Sequence, residues 1–192
     1  DPWYSPSNAL IKNVKYNYPN MDSNAIKHGD IIALWNPATR RFLKMDDNNG
    51  NVTSCCTHSE DLPSGWPAER WLVVKGDNYN GYSDLICLYN LNAGRFMRMH
   101  SNGNVDSCCP ISVNKLPPAN LWNWERFKVV NVAEQYGKKG LVAFWNPANK
   151  RFVRMNSNGN ADSCCVINSP YNMPKNWSWE RFRSEEHTSE LQ

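Results

Sequence analysis

Ala33-Leu34-Trp35-Asn36-Pro37 runs into Arg41-Phe42-Leu43-Lys44-Met45, and the same phrase returns twice along the chain. The second copy is Cys87-Leu88-Tyr89-Asn90-Leu91 with Arg95-Phe96-Met97-Arg98-Met99. The third is Ala143-Phe144-Trp145-Asn146-Pro147 with Arg151-Phe152-Val153-Arg154-Met155. Self-similarity at a fixed period decides architecture before any single residue does, and the period here is about 55 residues. Further markers keep the same order: Cys55-Cys56, Cys108-Cys109 and Cys164-Cys165, then Glu69-Arg70-Trp71, Glu125-Arg126-Phe127 and Glu180-Arg181-Phe182. Residues that recur three times are first of all the parts from which the unit is built.

Each unit reads as four short strands. In the first unit these are Ile31 to Trp35, rich in β-branched and aromatic residues, then Arg41 to Met45, Val52 to Cys56 and Arg70 to Lys75. Asn36-Pro37-Ala38-Thr39 presets a turn, and Asn48-Asn49-Gly50-Asn51 marks a hairpin because Asn and Gly tolerate positive φ. No window sustains helical periodicity for three turns, so the class is all-β. One such unit has an apolar face that it cannot bury alone. Three copies arranged around an axis can do so, and they leave few strand edges exposed. A fragment of a β-propeller is the alternative, although propellers use about four or more blades.

Gly94-Arg95-Phe96-Met97-Arg98-Met99 followed by Asn102-Gly103-Asn104-Val105-Asp106 resembles the second and third strands of β-trefoil proteins, including fibroblast growth factors and the fascin-type trefoils. The resemblance runs over roughly residues 29–182. It implies twelve strands, six in a short barrel and six in three capping hairpins, here as repeats at about 29–77, 84–132 and 140–182 with the last strand truncated. The Gln-X-Trp signature of ricin-type lectins and the basic cluster of the growth factors have no counterpart here. The resemblance therefore supplies a fold and leaves the activity open.

The ends depart from the repeat. Units one and two continue as Leu72-Val73-Val74-Lys75 and Lys128-Val129-Val130-Asn131, whereas the third continues as Arg183-Ser184-Glu185-Glu186. Residues 183–192 resemble the translation of a common sequencing adapter and are expected to be a non-native tail. Residues 1–28 are expected to form an arm, or the strand of a lost preceding repeat, on the alternation of Val14, Tyr16 and Tyr18.

The chain of 192 residues carries a net charge of +3 at pH 7, with no block of Lys or Arg that would track a phosphate backbone. Nucleic acid is not expected as a partner. No segment approaches the ~20 apolar residues of a membrane span. No cofactor and no metal site are expected. His28, His58, His100 and His187 do not recur with the repeat, and the cysteine pairs lack Cys-X-X-Cys spacing.

Adjacent strand residues point to opposite faces, so each cysteine pair should offer one core and one outer thiol. Disulfides to other segments and thiolate metal binding remain open for them. Tolerance of an oxidising compartment favours secretion. Cys87 takes an Ala33/Ala143 position as a small buried filler.

Threefold copies give no asymmetric pair of carboxylates for acid–base work, so no catalytic residue is expected and the chain reads as a non-catalytic binding module. Glu69, Glu125 and Glu180 are expected to bridge to Arg41, Arg95 and Arg151. Asp106 and Asp162, with Thr53 in unit one, are expected to serve the hairpin turn. Trp66, Trp122 and Trp177, joined by Trp124 and Trp179, read as core packing or as a sugar-stacking platform.

Trp35, Tyr89 and Trp145 alternate with Leu34, Leu88 and Phe144, which should face the core. The three aromatics should then point outward beside Asn36, Asn90 and Asn146. An exposed aromatic beside an amide suits a sugar, which it stacks and hydrogen-bonds. The candidate ligand site is therefore Trp35, Asn36, Tyr89, Asn90, Trp145 and Asn146, and the expected partner is a glycan. The alternatives are a fascin-like protein partner such as actin, contacted through Arg40, Arg41, Lys150 and Arg151, and an accessory domain of a larger enzyme. The sequence specifies no oligomeric state.

Overall fold

The computed structural model describes residues 21–186. The strand expected around Val14, Tyr16 and Tyr18 lies outside the described residues. Six strands form a circuit: Ile31–Asn36, Trp71–Tyr79, Tyr82–Asn90, Lys128–Val132, Leu141–Asn146 and Arg183–Glu186. Four of the joints are antiparallel ladders. The other two are single bridges, Ile86 to Phe127 and Val142 to Phe182, so the circuit is not a continuous closed ladder. Three hairpins cap it: Lys44–Met45 with Val52–Thr53, Arg98–Met99 with Val105–Asp106, and Arg154–Met155 with Ala161–Asp162. Strands shared around one axis in this way are not the separate blades of a propeller.

The sequence-based strands shift in instructive ways. The expected strand Arg41 to Met45 divides at Leu43. Phe42 pairs with Trp35 in the barrel, while Lys44 and Met45 pair with Thr53 and Val52 in the hairpin. The same change of partner occurs after Phe96 and after Phe152. The expected strand Val52 to Cys56 stops at Thr53, because Ser54 turns inward to donate its hydroxyl to Gly159 O at 2.9 Å. The fourth strand begins at Trp71 and runs to Tyr79, beyond the expected Lys75, before Asn80-Gly81 returns the chain.

The repeat builds one central core. Leu34, Leu88 and Phe144 face it as expected, together with Met45, Met99 and Met155 and with Trp71, Phe127 and Phe182. The opposite face of each first strand packs into its own satellite cluster. These hold Ala33, Trp35 and Phe42; Cys87, Tyr89 and Phe96; and Ala143, Trp145 and Phe152. Cys87 is fully buried in its satellite, which pushes its thiol up to about 12.

Arg183–Glu186 take the position of the twelfth strand. Arg183, Ser184 and Glu185 lie opposite Trp35, Leu34 and Ala33, just as Lys128, Val129 and Val130 lie opposite Trp145, Phe144 and Ala143. Backbone groups make this pairing whatever the side chains are. Ser184 and Glu185 consequently stand where the other units place valines.

At the axis, hairpin glycines are required by contact as well as by φ. Gly103 has φ +95°, and a Cβ there would sit 2.7 Å from Ser163 Oγ.

Candidate functional site

The six residues expected to bind ligand are buried, and their roles are structural. Trp35 is 5 % exposed, Tyr89 7 % and Trp145 0 %, because the long third-to-fourth-strand loop covers them. Each is tied to that loop by the same bond. Trp35 Nε1 donates to His58 O at 3.1 Å, Tyr89 OH to Ile111 O at 2.7 Å, and Trp145 Nε1 to Ile167 O at 2.9 Å.

Asn36, Asn90 and Asn146 are fully buried staples between neighbouring units. Asn146 Nδ2 donates to Asn123 O and Arg126 O, both at 2.9 Å, and its Oδ1 accepts from Asn149 N at 2.7 Å. Asn36 joins Ser178 O and Arg181 O in the same way, and Asn90 joins Ala68 O and Arg70 O. The outward orientation was legible in the alternation of residues. The cover was not, because it comes from a loop without strand alternation.

The expected bridges from Glu69, Glu125 and Glu180 to Arg41, Arg95 and Arg151 are not formed among the described residues. Those arginines turn toward the axis, where Arg41 Nη1 reaches Ser54 Oγ at 3.0 Å and Arg151 Nη1 reaches Ser163 Oγ at 3.3 Å. Arg41 and Arg151 are therefore half-buried, and of the four basic residues considered for a protein partner Arg40 is the exposed one.

A different group of residues opens to the surface twice, at positions related by the repeat. In unit two, Arg98, Cys108, Trp122, Trp124 and Glu125 line a cleft of 170 Å³. In unit three, Arg154, Cys164, Trp177, Trp179 and Glu180 line one of 310 Å³. These are small openings, at or below the lower end of the ~300–1,000 Å³ typical of drug-sized pockets.

The arginine of each cleft is held in the same way from behind. The hairpin ladder sets Arg98 opposite Asp106 and Arg154 opposite Asp162. Arg98 Nε and Nη2 donate to Asp106 at 2.9 and 3.2 Å, and Arg154 Nε and Nη2 donate to Asp162 at 2.7 and 3.0 Å. Asp106 and Asp162 thus lock an arginine across the hairpin, a role beyond the turn expected of them. His100 Nε2 lies 2.8 Å from Asp106, and Asn156 Nδ2 donates to Asp162 at 3.2 Å. Each guanidinium lies over a half-buried tryptophan, with Arg98 6.0 Å from the Trp124 ring centre and Arg154 5.4 Å from that of Trp179.

Beneath each cleft a carboxyl is buried against the basic side chain. Burial pushes Glu125 and Glu180 up to about 7, with Arg98 and Arg154 pulling the other way. Trp66, Trp122 and Trp177 are half-buried and pack on the satellite clusters, not in the central core. Arg126 and Arg181 hold the loop beneath them through carbonyls such as Trp122 O and Trp177 O.

Unit one lacks this arrangement. Lys44 replaces the arginine, Thr53 the aspartate and Ala68 the tryptophan, although Glu69 is still buried and raised by burial. That joint replacement was the sequence signal for the site. Three positions differ together in one unit and agree in the other two.

The cysteine pairs do not provide a core thiol. Cys55, Cys108, Cys164 and Cys165 are exposed, and Cys56 and Cys109 are intermediate. The chain has left the ladder before it reaches them, so strand alternation does not apply. Among the described residues no group of three His, Cys, Asp or Glu side chains could hold a metal ion, and no helix is long and apolar enough to cross a membrane.

Six barrel strands, three capping hairpins and a pseudo-threefold core make this chain a β-trefoil. No protein-family model matches it, and no curated protein matches it in sequence. Solved structures do match in shape. One is the GlcNAcα1-4Gal releasing endo-β-galactosidase of Clostridium perfringens, with TM-score 0.56 and 16% identity, covering 82% of this chain and 32% of that one. The Polyporus squamosus lectin bound to the epitope Neu5Acα2-6Galβ1-4GlcNAc gives TM-score 0.53 and 13% identity over 84% of this chain and 50% of its own. The BEL β-trefoil gives TM-score 0.56 and 10% identity over 89% and 99%. This chain therefore spans about a third of the clostridial enzyme and half of the Polyporus lectin. At these identities the likeness establishes the fold.

Proposed function

We propose that the chain is a non-catalytic carbohydrate-binding module with two quasi-equivalent sites, Arg98/Trp124 and Arg154/Trp179, whose arginines are positioned by Asp106 and Asp162. The observation that carries this reading is the repeated cleft, in which a half-exposed indole lies beside a locked arginine–aspartate pair. A sugar presents a C–H face and a rim of hydroxyls that both donate and accept. The indole accommodates the face, and the guanidinium, held in place by its aspartate, donates to ring or hydroxyl oxygens. The pairing fixes the guanidinium before a ligand arrives, so little side-chain entropy is lost on binding. Two such sites on one rigid body favour branched or clustered glycans, where weak single-site affinities multiply. The lectin and the glycosidase among the structural neighbours support the same class of partner.

A glycan array probed with the wild-type protein and with Trp124→Ala, Trp179→Ala and the double variant tests the reading. Retention of a defined set of glycans is expected, with about tenfold weaker binding for each single variant, about 1.4 kcal/mol, and none for the double. A wild-type protein that retains no glycan, or a folded double variant that binds as the wild type does, overturns it.

A further inference from the structure

We propose that Cys55-Cys56, Cys108-Cys109 and Cys164-Cys165 are dithiol modification sites, each closing within itself to a vicinal disulfide. In every unit the serine before the pair is drawn toward the axis. Ser54, Ser107 and Ser163 donate to Gly159 O, Gly50 O and Gly103 O at 2.9, 3.0 and 3.2 Å. That anchor ends the strand and delivers the next two residues to the surface together. Cys109 Sγ donates to Cys108 Sγ at 3.1 Å, and Cys164 Sγ and Cys165 Sγ lie 2.7 Å apart. Cys55 and Cys56 stand at the same repeat position, as adjacent free thiols after the inward Ser54. Among the described residues each of these sulfur–sulfur bonds joins sequence neighbours, so bonding at about 2.05 Å needs a closure of about 1 Å or less. All three pairs follow an inward serine at one repeat position, and in two of them the sulfurs are already in contact.

The chemistry balances with a low-molecular-weight disulfide such as oxidised glutathione. The thiolate of one cysteine attacks a glutathione sulfur and expels one glutathione thiolate. The neighbouring thiolate then attacks the protein sulfur of the mixed disulfide and expels the second. Two cysteine thiols are oxidised, one external disulfide is reduced to two thiols, and the two cysteine protons end on the glutathiones. Neighbouring Cα atoms stand about 3.8 Å apart across a trans peptide, closer than most disulfides allow, so the ring is strained and readily reduced. It is the labile kind of bond, not a structural staple.

Cys108 and Cys164 also line the two clefts. On the carbohydrate reading, on which this consequence rests, closure replaces two S–H donors beside Trp124 and Trp179 with a surface that cannot donate, and it changes ligand affinity.

The intact protein is incubated with oxidised or with reduced glutathione, alkylated and mapped by peptide mass. After oxidation each pair should appear in one uncross-linked peptide, unalkylated and lacking two hydrogens. Dithiothreitol should restore two alkylatable thiols. Cys109→Ser and Cys165→Ser should instead keep one glutathione on Cys108 and on Cys164. Cross-links between pairs, persistent glutathione adducts on the wild type, or six alkylated thiols after oxidation overturn the proposal. These masses decide it whether or not a glycan binds. If glycans bind, a several-fold affinity difference between the two forms is expected, and identical affinities remove the link to the clefts.

Discussion

Replacing Glu125 and Glu180 with glutamine should stabilise the protein at alkaline pH and leave it unchanged at acid pH. Both carboxyls are 3 % exposed, and burial lifts each from 4.5 to about 7. In the unfolded chain they ionise from about 4.5, while in the folded chain they stay protonated until about 7. Between those values the folded state holds more protons than the unfolded state, so stability falls as pH rises. The favourable contribution is complete below pH 4.5, is lost as pH passes through 7, and does not change above it. The interval from 4.5 to about 7, at about 1.4 kcal/mol per pH unit, corresponds to about 3 kcal/mol for each group.

Glutamine mimics the protonated carboxyl and removes the loss. Glu125→Gln should therefore gain about 3 kcal/mol at pH 8 and nothing at pH 4. In a domain of this size that is a rise in Tm of roughly 6–12 °C. Differential scanning calorimetry of wild type and variant at both pH values isolates the effect. The difference cancels groups of opposite sign such as Glu60, which Lys138 and Arg183 hold below its ordinary range. Equal melting temperatures at pH 8, or a destabilised variant there, would show that Arg98 fully compensates the buried charge and that the reasoning is wrong.

Four further outcomes are expected. Asn146→Ala removes two donors and one acceptor from a buried junction between units and should cost about 2–4 kcal/mol in urea unfolding. Trp145→Ala, which also loses the bond to Ile167 O, should cost about 3–5 kcal/mol and report on folding, not on ligand binding. Ser184→Val with Glu185→Val introduces the valine pair that unit one carries opposite Leu88 and Cys87 and unit two opposite Phe144 and Ala143, and should raise stability by about 1–3 kcal/mol in the same assay. Lys44→Arg, Thr53→Asp and Ala68→Trp together should build a third cleft in unit one, seen as a third equivalent site in titration calorimetry with a monovalent glycan.

Much of the architecture was legible because the barrel is built from strict alternation. Leu34, Leu88 and Phe144 could be assigned to the core from their neighbours alone, and the hairpins announced themselves through Asn-Gly turns. What was not legible depends on the loops and on strand endings. Trp35, Tyr89 and Trp145 were set outside the central core, but the carbonyls of His58, Ile111 and Ile167 that cover them belong to a loop without strand alternation, two residues past each cysteine pair, so its folding back was not legible. The cysteine pairs were misplaced for a related reason. Alternation holds only while the ladder continues, and the inward serine ends it one residue before each pair. Likewise Arg41, Arg95 and Arg151 looked like partners for the glutamates, whereas a residue's side of the hairpin is set by where the strand changes partner, at Leu43, Met97 and Val153.

A threefold fold supplies its own control for telling structure from function. The axis imposes the same demands on every unit, so a contact needed for assembly recurs three times even where the side chain making it varies. The contacts of Asn36, Asn90 and Asn146 do, and each side chain is consumed by bonds to the preceding unit. A side chain needed only by a ligand is released from that demand wherever one unit does not bind. Arg98, Asp106 and Trp124 recur as Arg154, Asp162 and Trp179 and are replaced in unit one, yet the hairpin there still closes, with Lys44 opposite Thr53. The barrel therefore does not require the arginine–aspartate pair or the second tryptophan. Their joint presence in two units calls for another explanation, and a ligand seated on the indole is one that accounts for all three residues together.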